Sequence, residues 1–113
     1  MRFFCYTLAD PNTPMPEPSP EMYQQMSELV EENLKAGLLV ATGGFAPPAE
    51  ATKVSYVDGK YTVVDGPFTE AKELIGGWAL VEVRDKAEAI EETKRFLGVV
   101  GFGETTIRQV YGP

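Results

Sequence analysis

Along Arg2–Leu8 the alternating positions are apolar on both sides, with Phe4, Tyr6 and Leu8 on one face and Phe3 and Cys5, joined by Thr7, on the other. A period of two rich in aromatic residues predicts a strand covered on both faces. The stretch that follows, Ala9–Ser19, holds four prolines in eleven residues. Without proline N–H groups it cannot pair regularly, and it reads as an extended surface loop. The period then changes to that of a helix. Ser19 is its N-cap and Pro20 its first residue, Met22, Met26, Leu29, Val30 and Leu34 form an apolar stripe, and Gly37 is the stop.

Leu38–Thr42 reads as a short strand ending at Gly43-Gly44. In "TKVSYVDGKYTVV" the pair Asp58-Gly59 suits a two-residue hairpin turn. That turn sets Tyr56 opposite Tyr61 and Val54 opposite Val63, so the aromatic and valine pairs share a face. Gly76–Arg84 is a further strand, apolar on both faces. Asp85 and Glu88 make a capping-box-like start to a second helix with a stripe of Ala89, Ile90, Thr93, Phe96 and Leu97, which Gly98 is expected to close. "TTIRQVY" supplies the last strand.

The resulting order is strand, helix, strand, hairpin, strand, helix, strand. It predicts an α+β, ferredoxin-like fold: a mainly antiparallel sheet with two helices on one face. At 113 residues the chain, 1–113, is expected to be one domain. Two helices cover one sheet face only, so the second apolar face is expected to pack on another copy of the chain.

Composition narrows the function. With 17 acidic against 10 basic residues and a net charge of −7, direct nucleic-acid binding is not expected, since that affinity comes from Lys and Arg displacing counterions. The apolar run near the N-terminus is too short for a signal peptide core or a membrane span, so no targeting and no membrane are expected. One cysteine, Cys5, excludes an intrachain disulfide and suits a reducing cytoplasm. Histidine is absent, which removes the usual base near neutral pH and the commonest nitrogen ligand. No phosphate loop, dinucleotide fingerprint, CxxC or HExxH occurs. Neither a metal nor a cofactor is expected.

The segment "DGPFTEAKE", Asp65–Glu73, with the following "LIGGWALVEV", resembles the signature of the YCII-related proteins, specifically the subgroup named for its Asp-Gly-Pro-Phe motif, typically DGPFAETKE. The Met-Arg-Phe start, "LKAGLLVATGGFAP", the hairpin and "TTIRQVY" extend the resemblance over essentially the whole chain. Thr69 and Ala71 depart from it by exchanging where the hydroxyl sits, so a role for that hydroxyl does not carry over. The resemblance implies a homodimer of the dimeric α+β barrel type with a cleft lined from the sheet. The broad group includes lyases, isomerases and dehalogenating enzymes, and members of the subgroup are often encoded beside alternative sigma factors.

Candidate chemistry centres on that motif. Asp65 is either a general acid or base facing the cleft or a carboxylate bonding the amides of its own turn. Lys72 either holds an anionic substrate or pairs with Glu70 or Glu73 at the surface. Phe68 is either a plug over the sheet edge or a substrate platform. Trp78 is either core or a surface on which a planar ligand stacks. Tyr6 and Arg108, polar-ended and strand-borne, are further contacts for a small anionic or aromatic ligand. Three functions are compatible: a cofactor-independent lyase or isomerase using Asp65, a non-catalytic accessory protein binding a metabolite or a sigma-factor-like partner, or a motif that only locks fold and dimer.

Overall fold

The computed structural model describes residues 1–9, 17–46, 48–66 and 74–112. The element order is β1 (Arg2–Ala9), α1 (Pro20–Lys35), β2 (Leu39–Gly44), β3 (Thr52–Val57), β4 (Lys60–Asp65), β5 (Leu74–Glu82), α2 (Lys86–Val100) and β6 (Thr105–Val110), with a 3-10 turn at Pro48–Glu50. Strands β2-β5-β1-β6 form one sheet, every neighbouring pair antiparallel, and β3-β4 form a separate hairpin. The fold is α+β and ferredoxin-like, with the hairpin inserted between β2 and β5.

Local chemistry explains the boundaries. Ser19 Oγ accepts the Met22 N–H at 3.1 Å, and Pro20 occupies the first turn, where its missing N–H is no loss. Gly37 takes the left-handed φ of 76° just beyond the Ala36 C-cap. At α2, Asp85 Oδ1 accepts the Glu88 N–H at 2.9 Å, while Glu88 Oε1 reaches the N–H of Arg84 at 3.2 Å. The return bond of the box thus falls one residue before the cap.

The expected stop at Gly98 is not where α2 ends. The helix runs on to Val100 and closes at Gly101, whose φ of 88° lets its N–H reach Leu97 O at 2.7 Å. A glycine inside a helix costs only about 1 kcal/mol relative to alanine, and continuing places Val99 and Val100 in half-buried positions. Strand β2 ends at Gly44 as expected, whereas β5 begins at Leu74, two residues before the expected start. The hairpin has the expected register, with Val57 opposite Lys60, Tyr56 opposite Tyr61, Ser55 opposite Thr62 and Val54 opposite Val63.

The core lies between helices and sheet. Phe3, Cys5, Val81, Val83 and Ala89 form it, with Leu38, Leu39, Ala79 and Ile107 against it and Leu29 of α1 also buried. Leu34, expected in the α1 stripe, is half exposed on the last turn. The hairpin has no such cover: every residue of β3 and β4 is exposed. A radius of gyration of 16.5 Å exceeds the roughly 13 Å of a compact chain of this length, as a projecting hairpin requires.

Candidate functional site

The sheet has two faces of different character. On the helix side β1 contributes Phe3, Cys5 and Thr7, and β5 contributes Gly77, Ala79 and Val81. Alternation sends the intervening residues to the opposite, open face. Two rows cross all four strands there. One runs Ala41, Leu80, Phe4, Arg108 and the next Gly43, Trp78, Tyr6, Thr106, each residue directly opposite its neighbour.

The rows form an aromatic floor. The ring centroids of Phe4 and Trp78 are 6.0 Å apart with planes at 21°, and those of Phe4 and Tyr6 are 5.7 Å apart. Gly43 makes room for the indole: a Cβ on it would stand 3.2 Å from Trp78 Cζ2. At one end Arg2 is held by Glu82, with Nε to Oε2 at 3.1 Å. Among the described residues Arg108 makes no ion pair and is exposed beside Phe4. A lone guanidinium flanking three aromatic rings is suited to a flat molecule carrying a carboxylate or similar anion.

The predicted residues separate into groups. Tyr6, Trp78 and Arg108 share the open face, and the indole stands on it half-buried instead of within the helix-side core. Asp65 is elsewhere, at the base of the hairpin, exposed, accepting the Thr52 hydroxyl on Oδ1 at 2.8 Å. The partner of its carboxylate there is a cross-strand threonine. Phe68 and Lys72 lie outside the described residues. The glycines at Gly76-Gly77 accompany a bulge in the β1–β5 register, where the Thr7 hydroxyl accepts the Gly77 N–H at 3.1 Å.

Sequence reasoning missed a second feature, a cavity of about 380 Å³ on the helix side of the sheet, bounded by both helices and by residues of all four strands. Its lining includes Cys5, Asn33, Thr93 and Thr105. Burial pushes the Cys5 thiol pKa up, and a hydrogen bond with Thr93 partly offsets this, so the sulfur stays protonated at neutral pH. A glimpse of the cavity was present in the sequence as threonines within otherwise apolar stripes, at Thr7 and Thr93.

A four-stranded antiparallel sheet of this order with both helices on one face defines an α+β, ferredoxin-like protein. The chain belongs to the YCII-related family: the family model of the YCII-related domain matches residues 1–108. A search of curated proteins found no match. Among the described residues, no helix is long and apolar enough to cross a membrane.

Proposed function

We propose that this chain acts as a homodimer that binds a small anionic or aromatic metabolite on the open sheet face, in a cleft completed by the second copy, and that it belongs to the Asp-Gly-Pro-Phe subgroup and the dimeric α+β barrel type. The observation that carries the reading is the pair of rows placing Tyr6, Trp78 and Phe4 beside an exposed Arg108. Surface area supports the second copy. The chain exposes 8449 Å² against roughly 6,100 Å² for a compact monomer of 12.4 kDa. A lone, buried cysteine fits a reducing cytoplasm.

Two forms of this reading differ at Asp65. In the catalytic form the ligand undergoes cofactor-independent lyase or isomerase chemistry, with Asp65 moving the proton and Phe68 and Lys72 completing the site. In the non-catalytic form the protein is an accessory that binds a ligand or partner, tied to sigma-factor-dependent transcription. The exposed carboxylate of Asp65, engaged by Thr52, favours the non-catalytic form.

Salicylate titrated against the fluorescence of Trp78, the single tryptophan, tests binding, and sedimentation tests the dimer. A saturable signal on a dimer, weakened about tenfold by Arg108→Gln for the ~1.4 kcal/mol of one charge-assisted contact, supports the proposal. A monomer at all concentrations, or a signal indifferent to Arg108, sinks it. Asp65→Asn separates the two forms, since only the catalytic one loses turnover while keeping affinity.

A further inference from the structure

We infer that the helix-side cavity is a second small-molecule site, taking an uncharged, largely apolar ligand with a hydrogen-bond donor for Asn33 Oδ1 or Thr105 Oγ1. This goes beyond the open-face reading: the sheet lies between the two sites. The volume of about 380 Å³ falls in the range of ligand pockets, roughly 300–1,000 Å³.

The two polar atoms are the reason to expect an occupant. Among the described residues Asn33 Oδ1 and Thr105 Oγ1 are buried and have no hydrogen-bond partner, and both residues line this cavity. An unmet buried acceptor is costly, and either of these two can be met by a donor placed in the cavity that both residues line. The other hydroxyls are already engaged: Thr93 donates to Ala89 O at 2.8 Å and Thr42 to Trp78 O at 2.8 Å, while Thr7 bonds the main chain of Gly77.

Charge selects against ions. Among the described residues no Lys or Arg lines the cavity, so an anion has nothing to offset its desolvation. The carboxylate of Glu92 is turned to Arg95, Oε2 to Nη1 at 3.2 Å, and the Cys5 thiol is neutral. Apolar side chains such as Leu29 and Phe96 make up much of the wall, which fits the body of a fused or single aromatic ring. The expected occupant therefore differs in charge from the open-face ligand.

Indole and indene separate shape from hydrogen bonding, because they share a bicyclic outline and only indole has an N–H. Amide shifts of the isotope-labelled protein are to be followed on titration with each. Expected are indole-induced shifts concentrated at Cys5, Asn33, Thr93 and Thr105, and indole binding roughly tenfold tighter than indene, as one satisfied buried acceptor implies. Asn33→Leu or, as a near-isosteric second variant, Thr105→Val should narrow the ratio, according to which atom the N–H meets, and a ratio unchanged in both overturns the inference. Equal binding of the two probes means that water already serves the two atoms, and it overturns the inference. So does an absence of shifts at these amides, or shifts confined to Phe4, Tyr6 and Arg108; those last would still leave the open-face proposal standing. A salicylate failure on the open face, conversely, leaves this test untouched.

Discussion

Strand β1 and the β3–β4 hairpin are built from much the same materials, alternating aromatic and β-branched residues, yet they meet opposite environments. Phe3 of β1 is 3% exposed, whereas Tyr61 and Val54 of the hairpin are 77% and 68% exposed. The hairpin nevertheless keeps its register, because the Asp58-Gly59 turn, with φ of 53° and 76°, and the Tyr56–Tyr61 contact at 4.8 Å act locally. The lesson is that short-range pairing fixes how two strands align, and long-range packing decides what covers them.

The comparison can be broken most forcefully in the core. Phe3→Ala should cost about 3–5 kcal/mol in denaturant unfolding, while Tyr61→Ala on an uncovered strand should cost about 1 kcal/mol or less. A large loss at Tyr61 that grows with protein concentration would show that the hairpin is covered when copies associate. Next in size are the two glycines near the end of α2. Gly101→Ala forces a side chain into φ 88° and should destabilise by about 1 kcal/mol or more, whereas Gly98→Ala, inside the helix with open space around its Cβ, should stabilise by about 0.5–1 kcal/mol. Thermal unfolding of the pair reads the opposite signs.

A pH series sharpens the contrast between buried and exposed strands. Burial raises the folded-state pKa of Cys5, so the folded chain holds that proton more tightly than the unfolded chain. The contribution is fully present below the unfolded thiol value of ~8.5 and is lost as pH rises through the folded one. Its limiting slope is about 1.4 kcal/mol per pH unit. Cys5→Ala should flatten the alkaline decline relative to wild type; an unchanged profile would exclude this origin. The smallest effect is expected at the helix pair, where Arg95 bridges Glu32 of α1 at 3.1 Å and Glu92 of its own helix. Glu32→Gln should shift stability only slightly, and less in high salt, because exposed pairs are screened.

Much of the frame was legible because its signals are local. The Ser19-Pro20 start, the Asp85 cap, the hairpin register and the two-sided apolar pattern of β1 each depend on neighbours within a few residues. Gly98 misled because a glycine only weakens a helix, and the packing of Val99 and Val100 outweighed it. The open-face rows were partly legible: alternation separates Trp78 from Ala79, but only the β1–β6 register brings Arg108 beside Phe4. The cavity was barely legible, hinted at only by the hydroxyls of Thr7 and Thr93 within apolar stripes. Asn33 and Thr105 are ordinary polar residues on distant elements, and that both lack a partner among the described residues follows from where helix and sheet happen not to fill space. Asp65 drew attention as part of a motif, although the motif says nothing of its exposed place beside Thr52.

Strands β2 and β6 are the outer members of their sheet, and the hairpin has two outer edges of its own. Such edges offer unpaired backbone groups to any passing strand, and here the hairpin adds exposed Val54, Tyr56, Tyr61 and Val63. What keeps copies from stacking at random is colloidal: the charge of −7 repels like molecules at neutral pH. That guard vanishes near the isoelectric point of about 4.5. A chain kept apart by its charge in neutral solution should therefore cloud on mild acidification, by edge-to-edge growth of intact folded molecules and before any unfolding.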